Sequence, residues 1–100
     1  MSVIESLLMC TGFDWDEATG PKIWAKHEVS PVECEQVFFN LPVVAEHDEK
    51  HSGSETRYYV LGQTDAGRRL FPVVTVPGDL LRVISARDMR RKERKVYESL

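Results

Sequence analysis

The second half of the chain contains strand-like segments in close succession, and their short spacing limits the folds that it can adopt. Apolar and β-branched residues are concentrated at 43–45, 57–62, 69–76 and 80–86, with Gly-containing turns at 52–54, 65–67 and 77–79. A parallel crossover needs about a dozen residues or more, so these connections predict an antiparallel meander. Pro72 cannot donate a hydrogen bond to a neighbouring strand, so the third segment is expected to have an edge or a bulge at that point.

The first half predicts a strand followed by two helices. Phe13 and Trp15 alternate with acidic residues, which indicates a short strand at residues 13–16 with one buried face. Proline is tolerated in the first turn of a helix, so a short helix is expected from Pro21 to about His27. Residues 1–12 are interpreted as a lead-in to the strand.

The second helix has the clearest local signal. Ser30 as N-cap, Pro31 at the first helical position and Glu33 at the third form the pattern of a capping box. The residues that follow at helical spacing predict a buried stripe, which consists of Cys34, Val37, Phe38 and Leu41.

Length and composition predict one folded domain that spans residues 1–100. The hydrophobic content of 42% is enough for a core, and no apolar run approaches the roughly 20 residues that a membrane helix needs. A cytoplasmic protein without membrane association is therefore expected. Cys10 and Cys34 stand far apart with no Cys-x-x-Cys motif, which favours two reduced thiols over a disulfide.

Positive charge is concentrated at the C-terminal end. Residues 82–100 contain seven basic and three acidic groups, whereas residues 1–81 contain six basic and thirteen acidic groups. This stretch predicts a basic helix with Asp88 as N-cap and with Met89, Val96, Tyr97 and Leu100 as its apolar positions. The asymmetry indicates a polyanion or an acidic partner, and the alternative is a solvated basic surface.

The complete order of elements is strand, two helices, four strands and a basic helix. This order predicts an α+β domain with helices packed on a twisted, mainly antiparallel sheet. Arg82 and Arg87 differ in parity, so in a regular strand they would point to opposite faces, with Arg87 on the face of Leu81, Val83 and Ser85. Arg87 stands at the junction of strand and helix, where a guanidinium could bind a phosphate, and Arg82 is the better candidate for a structural ion pair.

Several segments together resemble the BrnT toxins of bacterial type II toxin–antitoxin systems. The resemblance extends over about residues 13–97 and rests on Phe13-Asp14-Trp15-Asp16, Lys26-His27-Glu28-Val29-Ser30, Glu55-x-Arg57, Arg82-Val83-Ile84-Ser85-Ala86-Arg87 and the segment from Arg91 to Tyr97. It implies a RelE-like fold and a metal-independent endoribonuclease that needs no cofactor. It also implies neutralisation by a BrnA-like ribbon-helix-helix antitoxin, which would supply the contacts of the complex to operator DNA.

Three positions depart from the pattern of these toxins. Glu28 stands where many relatives have Gly, and Val76-Pro77 replaces an acidic-Arg pair that many relatives carry. Gly20-Pro21 is expected to interrupt a helix that is usually longer. The loss of the acidic-Arg pair keeps an alternative open, in which the protein is a non-catalytic module that binds an antitoxin or another partner.

The candidate site residues follow from what metal-free RNA cleavage requires. Lys26 and His27 are candidates for proton transfer, and Arg57 and Arg87 for clamping the phosphate. His27 could instead cap its helix, and Arg57 could pair with Glu55. The residues expected to contact the RNA are Arg82, Arg90, Arg91, Lys95 and Tyr97.

A second polar cluster, at residues 46–51, contains enough Glu, His and Asp to bind a metal. It lacks the rigid helix that would make its His-x-x-x-His pair useful, so a solvated loop is the preferred interpretation and no metal site is predicted. The sequence has no Gly-rich phosphate loop and no motif for a nucleophilic Ser or Cys.

Overall fold

The computed structural model describes residues 2–51 and 53–100. The helices are α1 (Val3–Leu8), α2 (Thr19–His27), α3 (Pro31–Gln36) and α4 (Arg91–Glu98). The strands are β1 (Gly12–Asp14), β2 (Val44–His47), β3 (Tyr58–Gln63), β4 (Arg69–Thr75) and β5 (Leu80–Asp88), and short 3₁₀ turns occur at Val37–Phe39 and Glu49–His51.

A five-stranded mixed sheet organises the molecule in the order β1-β5-β4-β3-β2. Strands β2 to β5 form the predicted antiparallel meander. Strand β1 pairs in parallel with β5, with Phe13 opposite Leu81. The predicted α+β class with a mainly antiparallel sheet is therefore confirmed.

The two faces of the sheet carry separate apolar clusters. The larger cluster packs between the sheet and helices α1, α2 and α3, and it includes Leu7, Ile23, Val29, Cys34, Val37, Phe38, Val60, Leu70, Val74, Leu81, Val83 and Ala86. The smaller cluster lies under α4 and consists of Leu61, Met89 and Tyr97, with Val44 and Phe71 packed against it.

The N-terminal segment differs from the prediction. Residues 3–8 form a helix rather than an irregular lead-in, because Ser2 and Glu5 make a capping box and Leu7 is buried in the core. Helix α2 begins at Thr19, two residues before the predicted start. Gly20-Pro21 therefore lies inside the first turn and does not interrupt the helix.

The predicted capping box of α3 is confirmed, since the Ser30 hydroxyl accepts from the Glu33 N–H and the Glu33 carboxylate accepts from the Ser30 N–H. The expected burial of Leu41 is wrong, because α3 ends at Gln36 and Leu41 is 82% exposed. The 3₁₀ turn that follows α3 packs closely on β3. A Cβ atom at Gly62 would lie 2.4 Å from Val37 Cγ1, so this approach requires glycine.

The prediction of an edge or a bulge in the strand of Pro72 holds only in part: β4 is an inner strand, Pro72 pairs with Ala86, and the register shift follows between Val73 and Val74. Val73 pairs with Ser85 and Val74 pairs with Val83, so Ile84 is the extra residue on β5. The bulge shifts the alternation of side chains along β5. Before it, the odd-numbered residues Leu81 and Val83 face the larger cluster, and after it the even-numbered Ala86 does. Arg82 and Arg87 therefore both point away from the larger cluster, and the prediction of opposite faces is wrong.

Strand β5 continues through Asp88, and Asp88 is not the N-cap of the last helix. Met89 remains in line with the sheet because its N–H donates to Arg69 O at 3.0 Å and its side chain is buried. Helix α4 begins at Arg91, and the Glu93 carboxylate accepts from the Arg90 N–H at 2.8 Å. None of the helices within the described residues combines the length and the apolar character that a membrane span requires.

Candidate functional site

Two pockets meet at Ile84, the bulged residue of β5. The first, which we call the lysine pocket, has a volume of about 180 Å³ and is lined by Lys22, Ile23, Lys26, His27, Ile84 and Ser85. The second, which we call the threonine pocket, has a volume of about 190 Å³ and is lined by His51, Gly53, Ser54, Glu55, Arg57, Thr75 and Ile84. Of the predicted catalytic residues, the structure therefore brings Lys26, His27 and Arg57 to one region of the surface.

The lysine pocket results from the spacing of residues on α2. Ile23 is buried against the sheet, while Lys22 and Lys26, four residues apart, lie on one side of the helix. Lys26 and His27 occupy the last turn, where the helix dipole favours positive charge. Lys22 was not predicted as a site residue, and its spacing from Lys26 was the signal that could have identified it.

Arg68 holds the C-terminal end of α2 in place. Its guanidinium donates to His27 O at 3.2 Å and to Glu28 O at 2.8 Å, and Glu28 itself adopts a left-handed φ of 53°. The same guanidinium bonds to both Asp88 oxygens, at 2.8 and 3.0 Å, and to Glu33 at 3.1 Å. Arg68 was also missed, because a single Arg in a turn gives no sequence signal of contacts to three other elements.

These contacts change the ionisation of two carboxyl groups. Hydrogen bonds from Arg68 are the main cause of the lowered pKa of Asp88. Burial acts to raise the pKa of Glu33, but the Ser30 N–H and Arg68 outweigh it, so the pKa is lowered. Both groups therefore remain ionised and paired with Arg68 at neutral pH.

The threonine pocket contains charged groups of both signs and one unsatisfied hydroxyl. Arg57 and Glu55 line its rim, and Thr75 is only 3% exposed. Thr75 Oγ1 has no hydrogen-bond partner among the residues that the structure describes. Arg82 lies nearby, bound to Asp14 at 2.8 Å and 3.9 Å from Glu55, so the structural ion pair expected for Arg82 is present.

Arg87 lines neither pocket in the described structure and lies under α4. Its guanidinium makes a bidentate pair with Glu93 at 2.8 and 2.9 Å and stacks over Phe71, with 4.2 Å from Cζ to the ring centroid. The hydrogen bond from Arg87 is the main cause of the lowered pKa of Glu93. Arg87 is therefore already neutralised and is not brought together with Lys26, His27 and Arg57.

Helix α4 exposes a row of cations. Arg90, Arg91, Lys92 and Lys95 are exposed, and no acidic side chain of a described residue lies within ion-pair distance of them. Lys92 was not predicted as a contact.

Tyr97, on the same helix, is buried. Tyr97 is 2% exposed, its hydroxyl donates to Pro42 O, and Arg69 stacks on its ring. The expected stacking of Tyr97 on an RNA base therefore does not fit the structure.

The polar segment at residues 46–51 has mostly local partners. The Tyr59 hydroxyl donates a hydrogen bond to the Glu46 carboxylate at 2.9 Å, and the ring of His47 packs on that of Tyr58. His51 lies 3.1 Å from an oxygen of Asp48. Within residues 2–51 and 53–100 there is no group of three or more His, Cys, Asp or Glu side chains that could hold a metal ion. Both cysteines are free, as predicted.

Comparison with known proteins identifies the family. The family model of the ribonuclease toxin BrnT of type II toxin–antitoxin systems matches residues 15–93. The crystal structure of the Brucella abortus ribonuclease toxin BrnT is similar in fold, with a TM-score of 0.59 and 20% sequence identity over 80% of this chain and 97% of that chain. No curated protein sequence matches at a significant level. The chain therefore belongs to the BrnT family of ribonuclease toxins of type II toxin–antitoxin systems.

Proposed function

We propose that this protein is a metal-independent endoribonuclease that acts on cytoplasmic RNA and is neutralised by a BrnA-like ribbon-helix-helix antitoxin. The observation that carries the proposal is that the pocket lined by Lys26 and His27 and the pocket lined by Arg57 share Ile84. This arrangement combines groups that can transfer protons with a guanidinium that can bind a phosphate.

The proposed reaction uses the 2′-hydroxyl of the RNA as nucleophile. A basic form of His27 or Lys26 removes the 2′-hydroxyl proton, the 2′-oxygen attacks phosphorus, and a dianionic phosphorane forms. Arg57 stabilises this charge with charge-assisted hydrogen bonds. The other α2 group protonates the 5′-oxygen as the P–O5′ bond breaks, which leaves a 2′,3′-cyclic phosphate and a 5′-hydroxyl.

The remaining cations of the proposal bind the RNA backbone. Arg82 borders the threonine pocket, and Arg90, Arg91 and Lys95 form part of the exposed row on α4, to which Lys92 adds a further charge. Arg57 is the preferred phosphate clamp because it lines the threonine pocket, whereas Arg87 lines neither pocket and is paired with Glu93.

The proposed antitoxin would pair with the basic surface of α4, and it would supply the contacts of the complex to operator DNA. The proposal for the partner rests on the family, since type II toxins are neutralised by a protein antitoxin. One observation favours the alternative of a non-catalytic binding module: Arg87, the family-motif arginine predicted as a clamp, is occupied by Glu93.

The test is incubation of purified, antitoxin-free protein with single-stranded RNA in excess EDTA, followed by analysis of the fragment ends. We expect fragments with 2′,3′-cyclic phosphates. Lys26→Met and His27→Ala should each slow cleavage by about 10²- to 10⁴-fold, the contribution of a proton-transfer group. Lys50→Met removes an exposed lysine outside both pockets and is the matched control.

The outcomes separate the two functions. Cleavage that requires a divalent cation would refute metal independence. No cleavage of free RNA or of ribosome-bound RNA, combined with tight antitoxin binding, would support the binding module. Equal cleavage by Lys26→Met, His27→Ala and Lys50→Met would place the reaction elsewhere on the surface.

A further inference from the structure

The threonine pocket has a polar interior that the described protein does not satisfy. Thr75 Oγ1 is buried and has no hydrogen-bond partner within residues 2–51 and 53–100, although an unpaired buried hydroxyl is destabilising. The Glu55 carboxylate accepts no hydrogen bond from any residue that the structure describes, and its one ion-pair contact, to Arg82, is long at 3.9 Å. Both groups line the same pocket and are available to a ligand.

The charges of the pocket argue against a bare anion. Glu55 would repel a phosphate placed inside, whereas Arg57 at the same rim would attract one. A neutral ring with a phosphate attached satisfies both groups, if the ring faces Glu55 and the phosphate faces Arg57. The apolar side chain of Ile84 provides a wall against which such a ring can pack.

We propose that the threonine pocket binds a guanine base of the RNA and thereby selects the nucleotide beside the cleaved bond. Guanine presents two adjacent donors, N1–H and the N2 amino group, and these match the two acceptor oxygens of the Glu55 carboxylate. Adenine and cytosine place a ring acceptor beside their amino group, which faces the carboxylate unfavourably, and uracil places its single N–H between two carbonyls. Thr75 supplies a further hydrogen bond at the bottom of the pocket.

The position of the pocket agrees with this role. Ile84 lines both pockets, so a nucleotide with its base beside Ile84 and its phosphate facing Arg57 would be bound next to the lysine pocket. The role in selecting a cleavage site rests on the proposed ribonuclease function. The binding of guanine does not, and the two can be measured separately.

The first arm of the test measures binding without cleavage. The four nucleoside 5′-monophosphates are titrated into the full-length protein and followed by NMR chemical shifts. We expect GMP to bind about tenfold more tightly than AMP, CMP or UMP, the discrimination typical of a bidentate contact to a base. Equal affinities, or no saturable binding at millimolar concentrations, would overturn the proposal.

Two substitutions locate the contact. Glu55→Gln keeps the size of the side chain but removes one acceptor and the charge, and it should abolish the preference for GMP. Thr75→Val keeps the shape and removes only the hydroxyl, so it should weaken GMP binding without loss of stability. Glu49→Gln, an exposed carboxylate in the neighbouring 3₁₀ turn, is the matched control and should retain the preference. A preference for GMP that survives Glu55→Gln would refute the assignment.

The second arm distinguishes a base of RNA from a free guanine nucleotide. Short single-stranded RNAs that differ only in the presence of one guanine are compared for binding and for cleavage. Guanine-dependent binding without cleavage of these RNAs or of ribosome-bound RNA would confirm the pocket and refute the ribonuclease proposal. Cleavage without any base preference would support the ribonuclease proposal and refute the guanine pocket. Binding of GMP with no preference among the RNAs would assign the pocket to a free nucleotide and overturn the proposed role in RNA selection.

Discussion

Replacement of Glu28 by glycine should stabilise this protein. Glu28 follows the last residue of α2 with φ of 53° and ψ of 40°, the left-handed conformation that commonly ends a helix. It is the one residue other than glycine with positive φ in the described chain. The Glu28 carbonyl accepts from Arg68, and a glycine would retain this backbone contact.

The expected gain follows from three contributions. The left-handed conformation costs a residue with a Cβ about 1–2 kcal/mol, and glycine avoids this cost. Against this gain, glycine loses more conformational entropy on folding than other residues do, because it has greater freedom in the unfolded chain, and this costs about 0.5–1 kcal/mol of stability. Removal of a negative charge from the C-terminal end of a helix adds about 0.3 kcal/mol or more at low ionic strength. The net stabilisation is about 1 kcal/mol, which corresponds to a rise in melting temperature of about 4–8 °C for a domain of this size.

The assay is urea unfolding followed by circular dichroism, with Glu28→Gln as the control. Glutamine removes the charge but keeps the Cβ, so it should recover only the electrostatic part, and that part should decrease in high salt. Glu28→Gly should retain most of its advantage in high salt. If Glu28→Gly were no more stable than Glu28→Gln, conformational strain at this position would not be the cause and the reasoning would be refuted.

Two other predictions concern the contacts that hold the site and α4 in place. The folded-state pKa values of Asp88 and Glu33 lie below their ordinary values of 3.8 and 4.5, so the stability that these carboxylates contribute is complete above those values and is lost as pH falls through the folded pKa values. The free energy of unfolding, measured from pH 7 to 2, should therefore decline in this range. An unchanged dependence of that free energy on pH in Arg68→Met would contradict the role of Arg68. Tyr97→Phe should lower the free energy of unfolding by about 0.5–1.5 kcal/mol, because the hydrogen bond to Pro42 O is lost. The affinity for RNA should stay unchanged. A large loss of affinity in a filter-binding assay would show that Tyr97 contacts the RNA.

Much of the fold could be predicted because its signals are local. The antiparallel meander depends on turn residues and short connections, and the start of α3 depends on a capping box within four neighbouring positions. The parallel pairing of β1 with β5 was not predictable in this way, since Phe13 and Leu81 are far apart in sequence. Helix α1 was missed although Ser2 and Glu5 carry a capping pattern, because its stability depends on burying Leu7 in the core.

The candidate site shows the same division. Residue types and motifs indicated Lys26, His27 and Arg57 as chemically suitable, but their convergence depends on the bulge at Ile84, which is a property of strand register. The register also reversed the expected direction of Arg87 and left it paired with Glu93.

Local sequence thus established the elements, their order, the basic C-terminal helix and the resemblance to a family of toxins. Packing of distant segments established which cations remain exposed, which are neutralised and which polar groups line a common pocket. The physical reason is that capping, turn formation and helical or strand alternation act between neighbours, whereas ion pairs, burial and pockets arise where distant segments meet. Arg68 illustrates this difference, because its contacts to α2, α3 and β5 exist only after the three elements have packed together.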